Sequence, residues 1–148
     1  MTLHWLPPSI RADAFRFYNR FMPYARLNKK ELVGVLYADD LPNKQIIAAV
    51  RLRPIGEYQL VTGMLVHPHY RGQALGHQLM SNLQEQLIAR PSFLFSLPEL
   101  TAFYRQHRFF ESSETKTEEC ADIPAEITQL YKRYLKQGKQ LCLMQHRP

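Results

Sequence analysis

The segment from residue 58 to residue 96 constrains the fold of this chain most strongly. It begins with an apolar run, YQLVTGMLV (58–66), which has the length and composition of a β-strand. Leucines at positions 75, 79, 83 and 87 then predict a helix over 72–90 that ends before Pro91. The run FLFS (93–96) is typical of a buried parallel strand. Together these patterns predict one right-handed βαβ crossover.

The rest of the chain supplies further strands and helices around this crossover. Residues 3–6 predict a short strand, and the spacing of Ile10, Ala14, Phe17 and Phe21 predicts an amphipathic first helix. ELVGVLYA (31–38) and QIIAAVRL (45–52) predict a hairpin around DDLPNK. After the crossover we expect a helix over 100–107, a strand at FFE (109–111), a helix over 123–138 that stops at a glycine, and a last strand, LCLMQH (141–146).

This order of elements predicts a mixed α/β (α+β) fold, in which helices flank a mixed central β-sheet. An extra helix, 123–137, is expected between the last two strands. The 148 residues are enough for one domain with a proper core and too few for two, so we expect a single domain over residues 1–148.

Charge and composition disfavour several classes of protein. The net charge of +6 indicates an anionic partner, but the basic residues are spread along the chain, which disfavours a nucleic-acid-binding domain. No apolar stretch approaches the roughly 20 residues that span a bilayer, and the N-terminus lacks a signal peptide's apolar region. We therefore expect a cytoplasmic protein without a membrane partner. No metal is expected, because His67 and His69 lack a third ligand and the two cysteines lack metal-ligand spacing.

The turn between the third strand and the long helix has the composition of an anion-binding site. The first N–H groups of a helix lack partners, and the helix dipole adds partial positive charge there. In RGQALG (71–76), Gly72 and Gly76 have no side chain and Ala74 only a methyl group, so a pyrophosphate can approach the backbone, and Arg71 adds a cation. The motifs G-x-x-x-x-G-K-[ST] and G-x-G-x-x-G are both absent. Without a ligand, the same glycines would only open the helix and let it pack closely on the sheet.

Two sequence motifs resemble those of a known protein family. VHPHYRGQALGHQLM (66–80) resembles the acyl-CoA-binding motif [QR]-x-x-G-x-[GA] of the GNAT superfamily of N-acetyltransferases, with Ala74 where the family usually has glycine. AFYRQHRF (102–109) is similar to the family's phrase A-x-x-F/L-Y-x-x-x-G-F, with Arg108 in place of the usual glycine. The order of elements agrees with that family over roughly residues 31–111.

The resemblance implies an N-acetyltransferase that moves an acetyl group from acetyl-CoA, its cosubstrate, to a primary amine of a small molecule or a protein by direct attack. It implies that backbone groups of Met64, Leu65 and Val66 hold the pantetheine arm and the acyl oxygen. Tyr104 matches the family's tyrosine near the cofactor sulfur, which acts as general acid. The pyrophosphate is expected on the turn and the start of the helix, namely Arg71, Gly72, Gln73, Ala74, Leu75, Gly76 and His77.

Departures from the family pattern leave alternatives open. Where some relatives carry a glutamate on the strand before the motif, this chain has Leu60, so Glu57, Glu99 and His67 remain candidates for the general base. Leu97 stands where the family has an asparagine. These departures favour, as an alternative, a non-catalytic GNAT-like module that binds acyl-CoA and regulates a partner.

Helix 123–137 occupies a place where relatives often have only a hairpin loop. Our hypothesis is that this helix, together with the aromatic segment 15–24, walls the acceptor site or forms a homodimer contact.

Overall fold

A computed structural model describes residues 1–112 and 123–148. Within these residues seven strands form one mixed sheet in the order β1-β2-β3-β4-β5-β7-β6, flanked by helices, which confirms the predicted fold class. The strands are β1 (His4–Trp5), β2 (Leu32–Tyr37), β3 (Ile46–Ile55), β4 (Tyr58–Val66), β5 (Ser92–Ser96), β6 (Phe109–Glu111) and β7 (Cys142–His146). The helices are α1 (Ala12–Phe21), α2 (Leu75–Asn82), α3 (Gln84–Ala89), α4 (Thr101–Arg105) and α5 (Ala125–Lys136).

The structure divides into two compact units, and the first comprises Met1–Pro54 and Val61–Gln86. In this unit β1 pairs antiparallel with β2, and β2 pairs antiparallel with β3. Helix α1 buries one face against the strands, because small and branched side chains of β2 and β3 leave room for its aromatic rings. The members of this core include Ala14, Phe17, Tyr18, Val33, Val35, Ile46, Ala49 and Leu65.

The prediction that Ile10 belongs to the apolar face of α1 is wrong. This side chain is 55% exposed and lies in a 3-10 turn, Pro8–Ile10, ahead of the helix. The turn is separated from the helix by Arg11, whose buried guanidinium donates to the carbonyl oxygens of Leu6 (3.3 Å) and Lys29 (3.0 Å). The helix therefore begins at Ala12, and Tyr18 completes its buried face.

The second unit comprises Ile55–Leu60 and Leu87–Pro148. Here β7 lies between β5 and β6 and pairs antiparallel with both. The extra helix α5, which was predicted between the last two strands, packs Ile127 and Leu130 into a core that includes Phe93 and Leu143. The Tyr131 hydroxyl also donates to the carbonyl oxygen of Leu141 (2.6 Å). Helix α5 is thus part of the core of its unit.

The helix predicted over 72–90 begins at Leu75 and is interrupted at Leu83. Two side-chain amides explain the interruption. That of Asn82 donates to the carbonyl oxygen of Gln78 (2.7 Å), and that of Gln84 donates to the carbonyl oxygen of Met80 (3.1 Å). Such side-chain donors compete with the backbone N–H groups for the helical acceptors and bend the helix.

Candidate functional site

The turn after β4 exposes its backbone at the mouth of α2. Gly72 (φ +81°) and Ala74 (φ +59°) both adopt the left-handed conformation, which turns the chain into the helix and explains why the helix does not begin at residue 72. Residues 71–74 are exposed, Leu75 is buried in the core, and Gly76 and His77 are half-buried. A Cβ atom at Gly72 would meet nothing within 4 Å, so the turn is open on that side.

Within the described residues, the N-terminus of α2 receives no capping hydrogen bond from its N-cap side chain. Ala74, its N-cap residue, makes no side-chain hydrogen bond, and the first turn contains no acidic residue. Gln78 is the first residue of α2 whose N–H forms a helical hydrogen bond, and it donates to the carbonyl oxygen of Ala74 (3.1 Å). N–H groups before that point have no acceptor within the helix, so they are suited to an anion.

Ala74 has a backbone conformation that glycine adopts more readily than any other residue. A left-handed backbone costs an L-residue about 1–2 kcal/mol, and glycine avoids that cost. Arg108 repeats the observation in the second unit, because it also stands in place of a glycine and has φ +68°. Both residues thus hold a left-handed backbone that glycine would adopt at lower cost.

Strand β4 contains a kink that the sequence-based predictions missed. Gly63 has φ +62°, a left-handed conformation inside the strand. Its carbonyl oxygen accepts a hydrogen bond from the buried Tyr18 hydroxyl (2.5 Å). Met64, Leu65 and Val66, which were predicted to hold the pantetheine arm, directly follow this kink. A glycine inside a strand pattern was the available signal, since it often marks a bulge.

A buried ion pair supports the kink from the side. Arg51 is 5% exposed, and its guanidinium donates to the Glu31 carboxylate (2.7 Å) and to the carbonyl oxygen of Arg26 (2.9 Å). The guanidinium lies 5.0 Å from the ring centroid of Tyr18. A Cβ atom at Gly63 would overlap it, so only glycine fits there.

His67, directly after β4, is buried, and both of its ring nitrogens lie beside polar partners. It is 4% exposed; its Nδ1 accepts from the N–H of His69 (3.1 Å), and its Nε2 lies 3.2 Å from the Gln45 side-chain amide. Because Nδ1 accepts, a neutral ring carries its proton on Nε2, which lies beside the side-chain nitrogen of Gln45. Burial, followed by the charges of His69 and Arg20, lowers the pKa of His67. With both nitrogens engaged, His67 has no lone pair for a substrate.

The second unit holds Tyr104, on α4. The residue is 9% exposed and contacts Phe103 and Phe109, with ring centroids 5.0 and 6.4 Å from its own. Burial raises the pKa of Tyr104 to about 12. Within residues 1–112 and 123–148, no protein group accepts a hydrogen bond from its hydroxyl. The phenol therefore keeps its proton at neutral pH and is available to a ligand.

The candidate carboxylates for a general base, Glu57 and Glu99, are both exposed in the second unit. Leu60 is buried in the core around α5, and Leu97 is 47% exposed.

No described helix is long and apolar enough to cross a membrane. In the same part of the chain, no group of three or more histidine, cysteine, aspartate or glutamate side chains is arranged to hold a metal ion.

A family model described as an acetyltransferase (GNAT) domain matches residues 29–112, which include β4, the turn and Tyr104. No curated protein sequence matches the chain.

Solved structures share the fold over the whole chain. Rv2747 from Mycobacterium tuberculosis, solved in complex with CoA, is 17% identical, with a TM-score of 0.69 and coverage of 100% of this chain and 99% of that one. Escherichia coli ElaA is 18% identical, with a TM-score of 0.65 and coverage of 99% and 100%. An acyl-CoA N-acyltransferase from Pseudomonas aeruginosa is 17% identical, with a TM-score of 0.60 and coverage of 99% and 100%. At sequence identities of 17–18%, the similarity to these structures shows a shared fold.

Proposed function

Because the chain belongs to the GNAT acetyltransferase family, we propose that it transfers an acetyl group from acetyl-CoA to a primary amine of a small molecule or a protein. The observation that carries the proposal is the open turn at 71–76. It presents exposed backbone at the N-terminus of α2, contains two left-handed residues and has no capping side chain. Such a helix end accommodates a pyrophosphate.

The residues of the first unit fit the cosubstrate in chemistry. The turn supplies backbone N–H donors, with contributions from Gln73 to His77, and Arg71 adds a charge. Along β4, Gly63 has a left-handed backbone, which is typical of a bulge, and a bulge leaves a residue unpaired. We assign the pantetheine arm and the acyl oxygen to the backbone of Met64, Leu65 and Val66 on this ground.

The proposed reaction is direct attack. The nitrogen of a neutral amine bonds to the thioester carbonyl carbon, the C–S bond breaks, and the sulfur leaves with the electron pair and takes a proton. Tyr104 is the proposed donor, because burial keeps its phenol protonated. With a pKa of about 12, full transfer to a thiolate whose thiol kept a pKa of about 8.5 would be uphill by roughly 5 kcal/mol. An apolar site raises the pKa of the thiol as well, which narrows this gap.

No side chain is assigned as general base. Both candidate carboxylates are exposed, and the ring nitrogens of His67 are engaged. The amine therefore enters in its neutral form, and its proton passes to solvent after attack. This predicts a rate that rises with pH as the free amine forms.

Turnover of acetyl-CoA with a panel of primary amines tests the proposal, with the acetylated product detected by mass spectrometry. Loss of a general acid costs about 10²- to 10⁴-fold in rate, so Tyr104→Phe should lower kcat to that extent without weakening acetyl-CoA binding. Tyr24→Phe is the matched control, because Tyr24 is 79% exposed. Equal kcat values for the two variants would exclude Tyr104 as the acid.

A non-catalytic acyl-CoA sensor is the second candidate. Leu60, which stands where some relatives carry a glutamate, is buried in an apolar core, and Glu57 and Glu99 are exposed. These observations favour the sensor, because none of the three positions offers a carboxylate in the expected place of a general base. Saturable acetyl-CoA binding with no turnover on any amine would select this function over the enzyme.

A further inference from the structure

A cleft of about 350 Å³ opens beside α1 in the first unit. Its walls are residues 13–21 of α1, residues 43–46 at the start of β3, and His67; we call it the α1 cleft. A volume near the lower end of the range for ligand pockets suits a small molecule. None of the residues assigned above to acetyl-CoA lines it.

The rim of the α1 cleft carries excess positive charge. Arg16, Arg20 and Lys44 line it, and Asp13 is the only carboxylate in the lining. Asp13 forms an ion pair with Arg16. Within residues 1–112 and 123–148, Arg20 and Lys44 have no carboxylate partner, so two cations remain for a ligand. The Arg20 guanidinium lies 4.9 Å from the ring centroid of Phe21, which holds it beside the aromatic wall.

The floor of the α1 cleft is formed by aromatic rings. The rings of Phe17 and Phe21 meet edge to face at a centroid distance of 5.4 Å, and Phe21 meets His67 in the same way at 4.6 Å. Both nitrogens of His67 are occupied by Gln45 and His69, so this ring presents an apolar surface. Such a floor favours a planar apolar group, because aromatic pairs add attraction beyond burial.

From this arrangement we propose that the α1 cleft binds a small carboxylate that carries an aromatic ring. The ring packs on Phe17 and Phe21, and the carboxylate pairs with Arg20 and Lys44 at the rim. A guanidinium matches the two oxygens of a carboxylate with two parallel N–H donors, and the ammonium adds a point charge. The lining shares no residue with the turn at 71–76, so binding in the α1 cleft can be measured without acetyl-CoA and without turnover.

The test uses three probes that share one ring and differ in charge: 3-phenylpropionate, 3-phenylpropan-1-ol and 3-phenylpropan-1-amine. Each is titrated into the protein without acetyl-CoA, and binding is followed by calorimetry and by NMR shifts of Phe17, Phe21 and His67. We expect one-to-one binding of the propionate, at least about tenfold tighter than the alcohol, because only the carboxylate forms charge-assisted hydrogen bonds with Arg20 and Lys44. The amine should bind more weakly than the alcohol.

Variants locate the interaction. The double variant Arg20→Gln, Lys44→Gln should weaken propionate binding about tenfold or more and leave the alcohol unchanged. The control Lys29→Gln, Lys30→Gln removes the same net charge from exposed positions of the same unit and should change affinity less than twofold. Equal affinities for propionate and alcohol, shifts outside the cleft, or an equal loss in the control would overturn the proposal. None of these readouts needs acetyl transfer, so failure here is distinct from failure of the proposed enzyme.

Discussion

The substitution Gly63→Ala tests whether the kink in β4 depends on close packing against the buried Arg51. The left-handed backbone costs alanine about 1–2 kcal/mol. The added methyl would also overlap the Arg51 guanidinium, which cannot retreat without disturbing its bonds to Glu31 and Arg26. Overpacking of a filled core costs about 1–3 kcal/mol. We therefore expect a total loss of roughly 2–5 kcal/mol in the free energy of unfolding.

Gly72→Ala is the matched control. Gly72 is also left-handed and belongs to the same unit, but a methyl there meets nothing within 4 Å. It should cost only the backbone contribution of about 1–2 kcal/mol. Any gain from a less flexible unfolded chain is common to both variants and cancels.

Urea denaturation of the two variants measures the difference. Gly63→Ala should be less stable than Gly72→Ala by about 1–3 kcal/mol, the overpacking contribution. Equal midpoints with equal m-values would refute the reasoning, because they would mean that the guanidinium yields to the methyl group without cost.

Three further predictions concern strain, charge and pH. Ala74→Gly and Arg108→Gly should each raise the free energy of unfolding by about 0.5–1 kcal/mol, because relief of left-handed strain exceeds the entropy gained by the unfolded chain; a loss in urea denaturation would contradict this. Glu31→Gln should cost about 3–5 kcal/mol, since it leaves the Arg51 guanidinium buried without a counter-charge, and a midpoint like that of the wild type would count against it. The folded pKa of His67 lies below its ordinary value of 6.5, so the unfolded chain binds the proton first and stability falls as pH drops below about 6.5; thermal melts of His67→Gln between pH values of about 5 and 7.5 should show a weaker pH dependence than the wild type, and an unchanged dependence would assign the effect to other groups.

The strands were predictable because their side chains follow local patterns. Every predicted strand is present, and β4 has the predicted limits, since its apolar run is bounded by turn residues. The helix limits were less predictable. The interruption at Leu83 depends on the amides of Asn82 and Gln84, whose choice between solvent and a backbone carbonyl leaves no mark in a hydrophobic pattern.

The candidate site was predictable only in part. The turn could be placed from its glycines and the helix behind it, but the support of Gly63 comes from Tyr18 and Arg51, which are distant in sequence. Nothing local in the sequence marks an arginine that is buried against a glycine, because the fold alone joins them. The roles of Tyr104 and of the turn stay predictions, as does the single domain over 1–148.

The central claim is that the turn at 71–76 holds the pyrophosphate of acetyl-CoA, and calorimetric titration with three ligands tests it most directly. Acetyl-CoA should bind one to one, and dephospho-CoA should keep most of that affinity because it retains the pyrophosphate. S-acetylpantetheine should bind at least about 100-fold more weakly, since two hydrogen bonds to a charged group are worth about 3 kcal/mol or more. No binding of acetyl-CoA at millimolar concentration, or equal affinity for S-acetylpantetheine, would contradict the account.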